Sequence, residues 1–343
     1  MKIRTFIFLF VVSICSALAW GQTWDLSPTM KATLVNNVMT ISTTLAAEDM
    51  SAPTWPDEYR NQIHSLVIED GVTSIGSWAF AHYAYLVSVT MASSVTFIDH
   101  YAFYNCGSLS TITIPEGVTT LEHAAFKLCG SLTEIDIPAS VTAIKGEMFV
   151  DCKQLVAIHV HVDNPVYSSD EGILYDKDKT TLIIYPEGKS ETSFEIPATV
   201  KKIEGSAFYD SKLESISIPN SVTVIGVGVF HACKSLTSIL IPASVEEIGD
   251  GAFAACAKLT SIVVDAANKT YASEAGILYS FDRTLLHTHP AGIGGDFTVP
   301  SFVITIGNQA FSGNDLLTSV TIPNTVTAIS ESVFNNCINK LRM

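Results

Sequence analysis

The sequence predicts a repeat solenoid, a stack of short coils that share one elongated core, and three observations carry that prediction. A unit close to V-T-x-I-G-x-x-A-F-x-x-C-x-x-L-T-x-I-x-I-P recurs nine times between Val72 and Cys337. Its phenylalanine returns at Phe80, Phe103, Phe126 and Phe149, then at Phe208, Phe230 and Phe253, and last at Phe311 and Phe334, with steps of 23 residues and one of 22 inside the blocks. Apolar residues make up 48% of the chain and charged residues 15%, so a long continuous core can be filled and disorder is not expected. A fixed period of roughly 20 to 50 residues marks a solenoid because one unit cannot bury its own apolar face without neighbours on both sides.

The chain opens with Lys2 and Arg4, an apolar run from Phe6 to Ile14 and the small-residue segment Ala17-Leu18-Ala19. That order of basic, greasy and small reads as a secretory signal over residues 1–19, with cleavage after Ala19 or Gly21, and the run is too short to span a bilayer. Loss of Lys2 and Arg4 takes the formal charge from −15 to −17. An acidic surface of this kind disfavours nucleic acid and anionic lipid, which need clustered Lys and Arg, so neither is expected as a partner and the mature chain is not expected to insert in a membrane.

Residues 22–62 do not match the repeat. Two alternating segments, near Thr33 to Val35 and Val38 to Ser42, flank Asn36-Asn37 and predict a hairpin. It is read as a cap on the first coil, since an open solenoid end exposes apolar surface and unpaired strand edges, with Trp24, Trp55 and Tyr59 as its packing.

The solenoid itself is assigned to residues 63–343. In one unit Leu109, Ile112 and Ile114 form a short strand that Pro115 ends, Val118 and Leu121 point inward from the return path, and Ala125, Phe126 and Cys129 form a helical or 3₁₀ turn on the opposite side. Variant segments interrupt the rhythm at about 163–198 and 267–301. They are copies of each other, 104 residues apart when Tyr167 is matched to Tyr271 and Gly172 to Gly276, and each predicts a hairpin with its turn at Asp176 to Lys179 or Ser280 to Arg283. The acidic residues of these turns lack the alternating ligands of a calcium loop.

After the leader, six cysteines remain: Cys106, Cys129, Cys152, Cys233, Cys256 and Cys337. Each follows its repeat phenylalanine by three residues, in a column completed by Tyr83, Ser211 and Asn314. That register predicts buried thiols rather than disulfides.

The unit resembles the BspA-like leucine-rich repeat family of bacterial surface proteins, also found in some parasitic protists. The resemblance covers Val72 to the C terminus, about four fifths of the chain, and includes the insert motif N-x-x-Y-x-S-x-x-G-I-L-Y as Asn164 to Tyr175 and Asn268 to Tyr279. It implies a right-handed solenoid with a parallel concave sheet and short helical or 3₁₀ turns on the convex side, used for adhesion and without enzymatic activity. No anchor domain is visible.

Outward strand positions then form columns. One runs through Ser65, Ser88, Thr111, Glu134, Ala157, Ser193 and Ser215; the next runs through Val67, Thr90, Thr113, Asp136, His159, Glu195 and Ser217. Small hydroxyl residues make a flat polar face that hydrogen-bonds a partner at little entropic cost. Glu134, Asp136, His159, His161 and Glu195 interrupt it as a titratable spot, the candidate contact for a partner. His287 and His289 replace Ile183 and Tyr185 of the first insert, which points to structural histidines. No nucleophile elbow, phosphate loop or His-Glu-x-x-His is present. The expectation is a secreted or cell-surface monomer (periplasm or outer surface if bacterial) without cofactor or resident metal that binds an extracellular protein or glycan. A structural envelope component is the alternative, and a metal-dependent hydrolase built on the acidic and histidine spot a minor one.

Overall fold

A computed structural model describes residues 21–51 and 57–337, so the leader, Trp55 and residues 338–343 lie outside it. The inward positions of each unit are apolar and buried, but in three successive clusters rather than the one continuous core expected, and the coils are joined by two runs of parallel pairing. The L-x-x-I-x-I segment gives the longer strands, mostly of four residues: Ser65–Ile68 pairs with Ser88–Met91, and Glu134–Ile137 pairs with Ala157–Val160, while between them Thr111–Ile112, which pairs with Ser88–Met91, is only two residues long. The return path is a second sheet that the sequence reading did not foresee. It begins with Glu48–Met50 and Val72–Ile75, and its later rungs are only two residues long, as in Phe97–Ile98, Thr120–Leu121 and Ala143–Ile144, each in parallel register with the next. Too short to show an alternation, they are set by the neighbouring coil rather than by local propensity.

On the turn side the expected helical or 3₁₀ turns are reduced to isolated bonds spanning three residues. Ala79 donates to Gly76 O and Ala81 to Trp78 O, while the intervening Phe80 donates to Ala102 O of the next coil. Two left-handed residues per coil, such as Trp78 (φ 60°) and His82 (φ 66°), prevent a helix from propagating. Asp57–Gln62 is the only 3₁₀ helix among the described residues.

Inside, the rings stack. Phe80, Phe103, Phe126 and Phe149 lie 5.6, 5.6 and 5.9 Å apart, and Phe208, Phe230 and Phe253 lie 5.4 Å apart. Where the inserts replace an ordinary coil, Tyr185 stands 5.2 Å from Phe208 and His289 stands 5.1 Å from Phe311, which itself stacks on Phe334 at 5.1 Å.

The N-terminal segment is a meander of Gln22–Asp25, Met30–Val35 and Val38–Thr43, the last of which runs parallel to Ser65–Ile68. Asn36 and Asn37, at φ 50° and 66°, make the turn between the second and third strands. Trp24 packs edge-on against Tyr59 at 5.0 Å.

Each insert is a three-stranded antiparallel meander, Tyr167–Asp170, Ile173–Asp176 and Thr181–Ile184 in the first copy. The predicted turns are present, with Lys179 N donating to Asp176 O and Arg283 N to Ser280 O. An additional hairpin precedes them, turning at Glu171-Gly172 and Ala275-Gly276 with both central residues at positive φ. These hairpins are not surface grafts. Ile173, Leu174 and Tyr175 are all buried, and so are Ile277, Leu278 and Tyr279. Asn164 and Asn268 pin the entries: each amide nitrogen donates to two carbonyls of the preceding coil, and each amide oxygen accepts two backbone N–H groups.

Candidate functional site

Alternation fixes the outer face of the longer strands. In Glu134–Ile137, Ile135 and Ile137 are buried, which leaves Glu134 and Asp136 exposed on the other side. Parallel register sets Asp136 opposite His159, and Glu134 Oε2 lies 3.5 Å from His159 Nε2. These three side chains form one group.

The other two predicted residues do not join it. His161 lies beyond the end of Ala157–Val160, and its Nδ1 accepts the Asp163 backbone N–H at 3.2 Å. Glu195 belongs to Ser193–Glu195, which pairs only with Ser215–Ser217, in a sheet separated from Ala157–Val160 by the first insert. Exposure of both members of the Glu134–His159 pair makes it a weak, salt-screened contact.

Around this group the face is polar and small. Ser65, Ser88 and Thr111 stand in register, and the Ser65 and Ser88 hydroxyls lie 3.0 Å apart. Thr90, Thr113, Ser215, Ser217 and Ser238 are exposed, while Leu240 and Val263, paired across neighbouring strands, form an apolar island. The face offers hydrogen bonds from short side chains, interrupted by the charged Glu134, Asp136 and His159 group, by separate acids at Glu195 and Asp296, and by the apolar island.

The cysteine column is interior. All six cysteines are free, five of them buried, and each thiol donates to a phenylalanine carbonyl of the coil before, as Cys129 Sγ does to Phe103 O at 3.2 Å. Burial pushes the Cys106 thiol up to about 12 and Cys129 and Cys152 well above the usual range, so these are inert packing groups.

The histidines of the second insert are structural as well. His287 Nε2 lies 3.1 Å from Ile248 O, and His289 takes the place of a repeat phenylalanine in the ring stack. Burial lowers both, His289 to about 4.

One constellation escaped the sequence reading. Asp151, Glu187 and Asp210 come from three successive coils, and a carboxylate oxygen of each lies within 4.8 Å of the others, the one such group of three His, Cys, Asp or Glu side chains among the described residues. Glu187 is buried, and burial, with the Asp151 and Asp210 charges adding to it, pushes its carboxyl up to about 8. Its signal in the sequence is a mismatch between the duplicated inserts, since the position 104 residues on is Ala291.

The sequence is similar to the family described as the BspA type leucine rich repeat region, which matches in six copies over residues 58–172, 187–276 and 295–342. A leucine-rich repeat protein from Eubacterium ventriosum is 26% identical, over 94% of this chain and 97% of that chain, with a TM-score of 0.68. A leucine rich cell surface protein from Faecalibacterium prausnitzii is 26% identical over 94% of each chain, with a TM-score of 0.45. No curated protein matches the chain.

Proposed function

The chain belongs to the BspA type leucine rich repeat family, and from that premise we propose that it is a secreted or surface-displayed, non-enzymatic binding module that contacts an extracellular protein or glycan through the outer face of its longer strands. The observation that carries this reading is the in-register ladder of hydroxyl side chains on that face, exemplified by half-buried Ser65 and Ser88 and exposed Thr111. A ladder of this kind presents donors and acceptors already ordered by the sheet, so a partner loses little side-chain freedom from the protein on binding.

Export is supported by the leader, whose basic start, short apolar run and small residues match a secretory signal. The Glu134, Asp136 and His159 group supplies the charged contact within the face and suits a cationic group on the partner.

The purified mature chain, screened against arrays of extracellular-matrix proteins and glycans, tests the proposal. Saturable binding to a defined class is the expected result, weakened by Asp136→Ala/His159→Ala. Absence of binding across both arrays counts against the reading and in favour of a purely structural role.

A further inference from the structure

The turn side of the solenoid is held by a ladder in which the residue two places after each repeat phenylalanine donates its amide to the next coil. His82 N donates to Tyr104 O, Asn105 N to Lys127 O, Leu128 N to Val150 O, and Asp210 N to His231 O. At the second insert the ladder steps over the extra residues, and Ala255 N reaches Ser312 O at 3.0 Å. The first insert is different. There the Asp151 amide donates to a side chain, Glu187 Oε1, at 2.7 Å.

That substitution leaves a carboxylate in the place of a backbone carbonyl. Glu187 is 7% exposed, and its second oxygen, Oε2, is buried without a hydrogen-bond partner. A buried acceptor in this condition is costly unless something covers it. Carboxylate oxygens of Asp151 and Asp210 converge on the same spot, within 4.8 Å of Glu187 and of each other. Lys234 reaches Asp210 Oδ1 at 3.0 Å, and its pairing leaves the other Asp210 oxygen available. Beside the group is a cavity of about 220 Å³ lined by Lys153, Ser211, Lys212, Lys234 and Ser235 together with Glu187 and Asp210, which gives water a route to the oxygens.

We propose that Asp151, Glu187 and Asp210 form a calcium site that clamps the break made by the first insert. The donor set is entirely oxygen, which suits a hard cation and not zinc or copper. Calcium–oxygen distances of about 2.3–2.6 Å span the observed separations, and the ion's preference for about six to eight ligands is met by adding water from the open side. The internal duplicate supplies the comparison. In the second insert the three positions are Ala255, Ala291 and Gly313, the ladder closes through backbone alone, and no carboxylate is present. Where the backbone fails to bridge the insert, three acids and an ion do so; where it bridges, the acids are absent. This site is independent of the polar face and of whatever that face binds.

Terbium luminescence on the chelator-treated mature chain tests the site, with Tyr209, which lines a second cavity together with Glu187, as the sensitising ring. One equivalent of terbium should give a saturable signal that calcium displaces. Glu187→Gln and Asp151→Asn should each weaken binding by more than about tenfold, while Glu134→Gln/Asp136→Asn on the distant face leaves it unchanged. Circular dichroism melts establish that the variants are folded, and Asp210→Asn decides the matter if Glu187→Gln is not. Absence of a saturable signal at millimolar ion, or binding by a folded Glu187→Gln protein equal to that of the parent, overturns the proposal.

Discussion

Leu174 and Tyr175 are consecutive residues on one strand, and they are buried in different cores: Leu174 closes the first apolar cluster, and Tyr175, with Ile173, belongs to the second. Leu278 and Tyr279 repeat the arrangement between the second cluster and the third. Each insert is therefore a wall shared by two blocks, with the two-residue period of its central strand sending alternate side chains to opposite sides.

The shared wall predicts a split response. Leu174→Ala and Tyr175→Ala should each cost about 2 to 5 kcal/mol. Because coils in a solenoid contact only their neighbours, native-state hydrogen exchange should accelerate before the insert in Leu174→Ala and after it in Tyr175→Ala. Uniform acceleration in both variants contradicts this division.

The ring column makes an internal comparison available. Phe126 is fully buried between two other rings, whereas Phe334 is half-buried and contacts one. Phe126→Ala should cost about 3 to 5 kcal/mol in urea unfolding, and Phe334→Ala distinctly less.

Thiol chemistry follows from the cysteine column. The denatured, unreduced mature chain should titrate with six free thiols, and in the native protein half-buried Cys337 should react first while the five buried ones stay silent. A count below about five would mean disulfides and a different packing of the column.

Acid should destabilise the second insert through His289. Burial holds its imidazole at about 4, against 6.5 for an ordinary histidine, so between those values the unfolded chain takes up a proton that the native chain refuses. Stability is full above about 6.5 and is lost as the pH falls toward 4, by roughly 3 kcal/mol for this one group. His289→Tyr, which installs the occupant of the matching position Tyr185, should flatten most of that slope in urea melts at pH 7.5 and 4.5. An unchanged slope assigns the acid sensitivity elsewhere.

The sequence disclosed what repeats. The phenylalanine and cysteine columns, the insert turns and the Asn36-Asn37 hairpin all repeat or carry distinctive turn chemistry, and each is found where the spacing placed it; the strand expected to run to Pro115 is shorter, pairing only at Thr111–Ile112. The second sheet was hidden because rungs as short as Thr120–Leu121 carry no period. The first hairpin of each insert was hidden because Ser168 and Ser169 are polar on both faces, leaving Glu171-Gly172 as the sole cue. Of the candidate site, Glu134, Asp136 and His159 were brought together because strand register is legible; His161 and Glu195 were not, since the ends of strands and the position of an insert are tertiary facts. Asp151, Glu187 and Asp210 meet only after three coils are stacked.

The most direct test of the account uses the ligand class identified on the arrays and two arginine variants. Thr90→Arg/Thr113→Arg obstructs the outer face of the longer strands, and Thr119→Arg/Thr142→Arg places the same bulk and charge on exposed positions that lead into the two-residue strands. The account predicts that the first variant loses binding by more than about tenfold, or 1.4 kcal/mol, while the second binds like the parent. Equal binding by both, or loss confined to the second, would place the contact surface elsewhere and contradict the account.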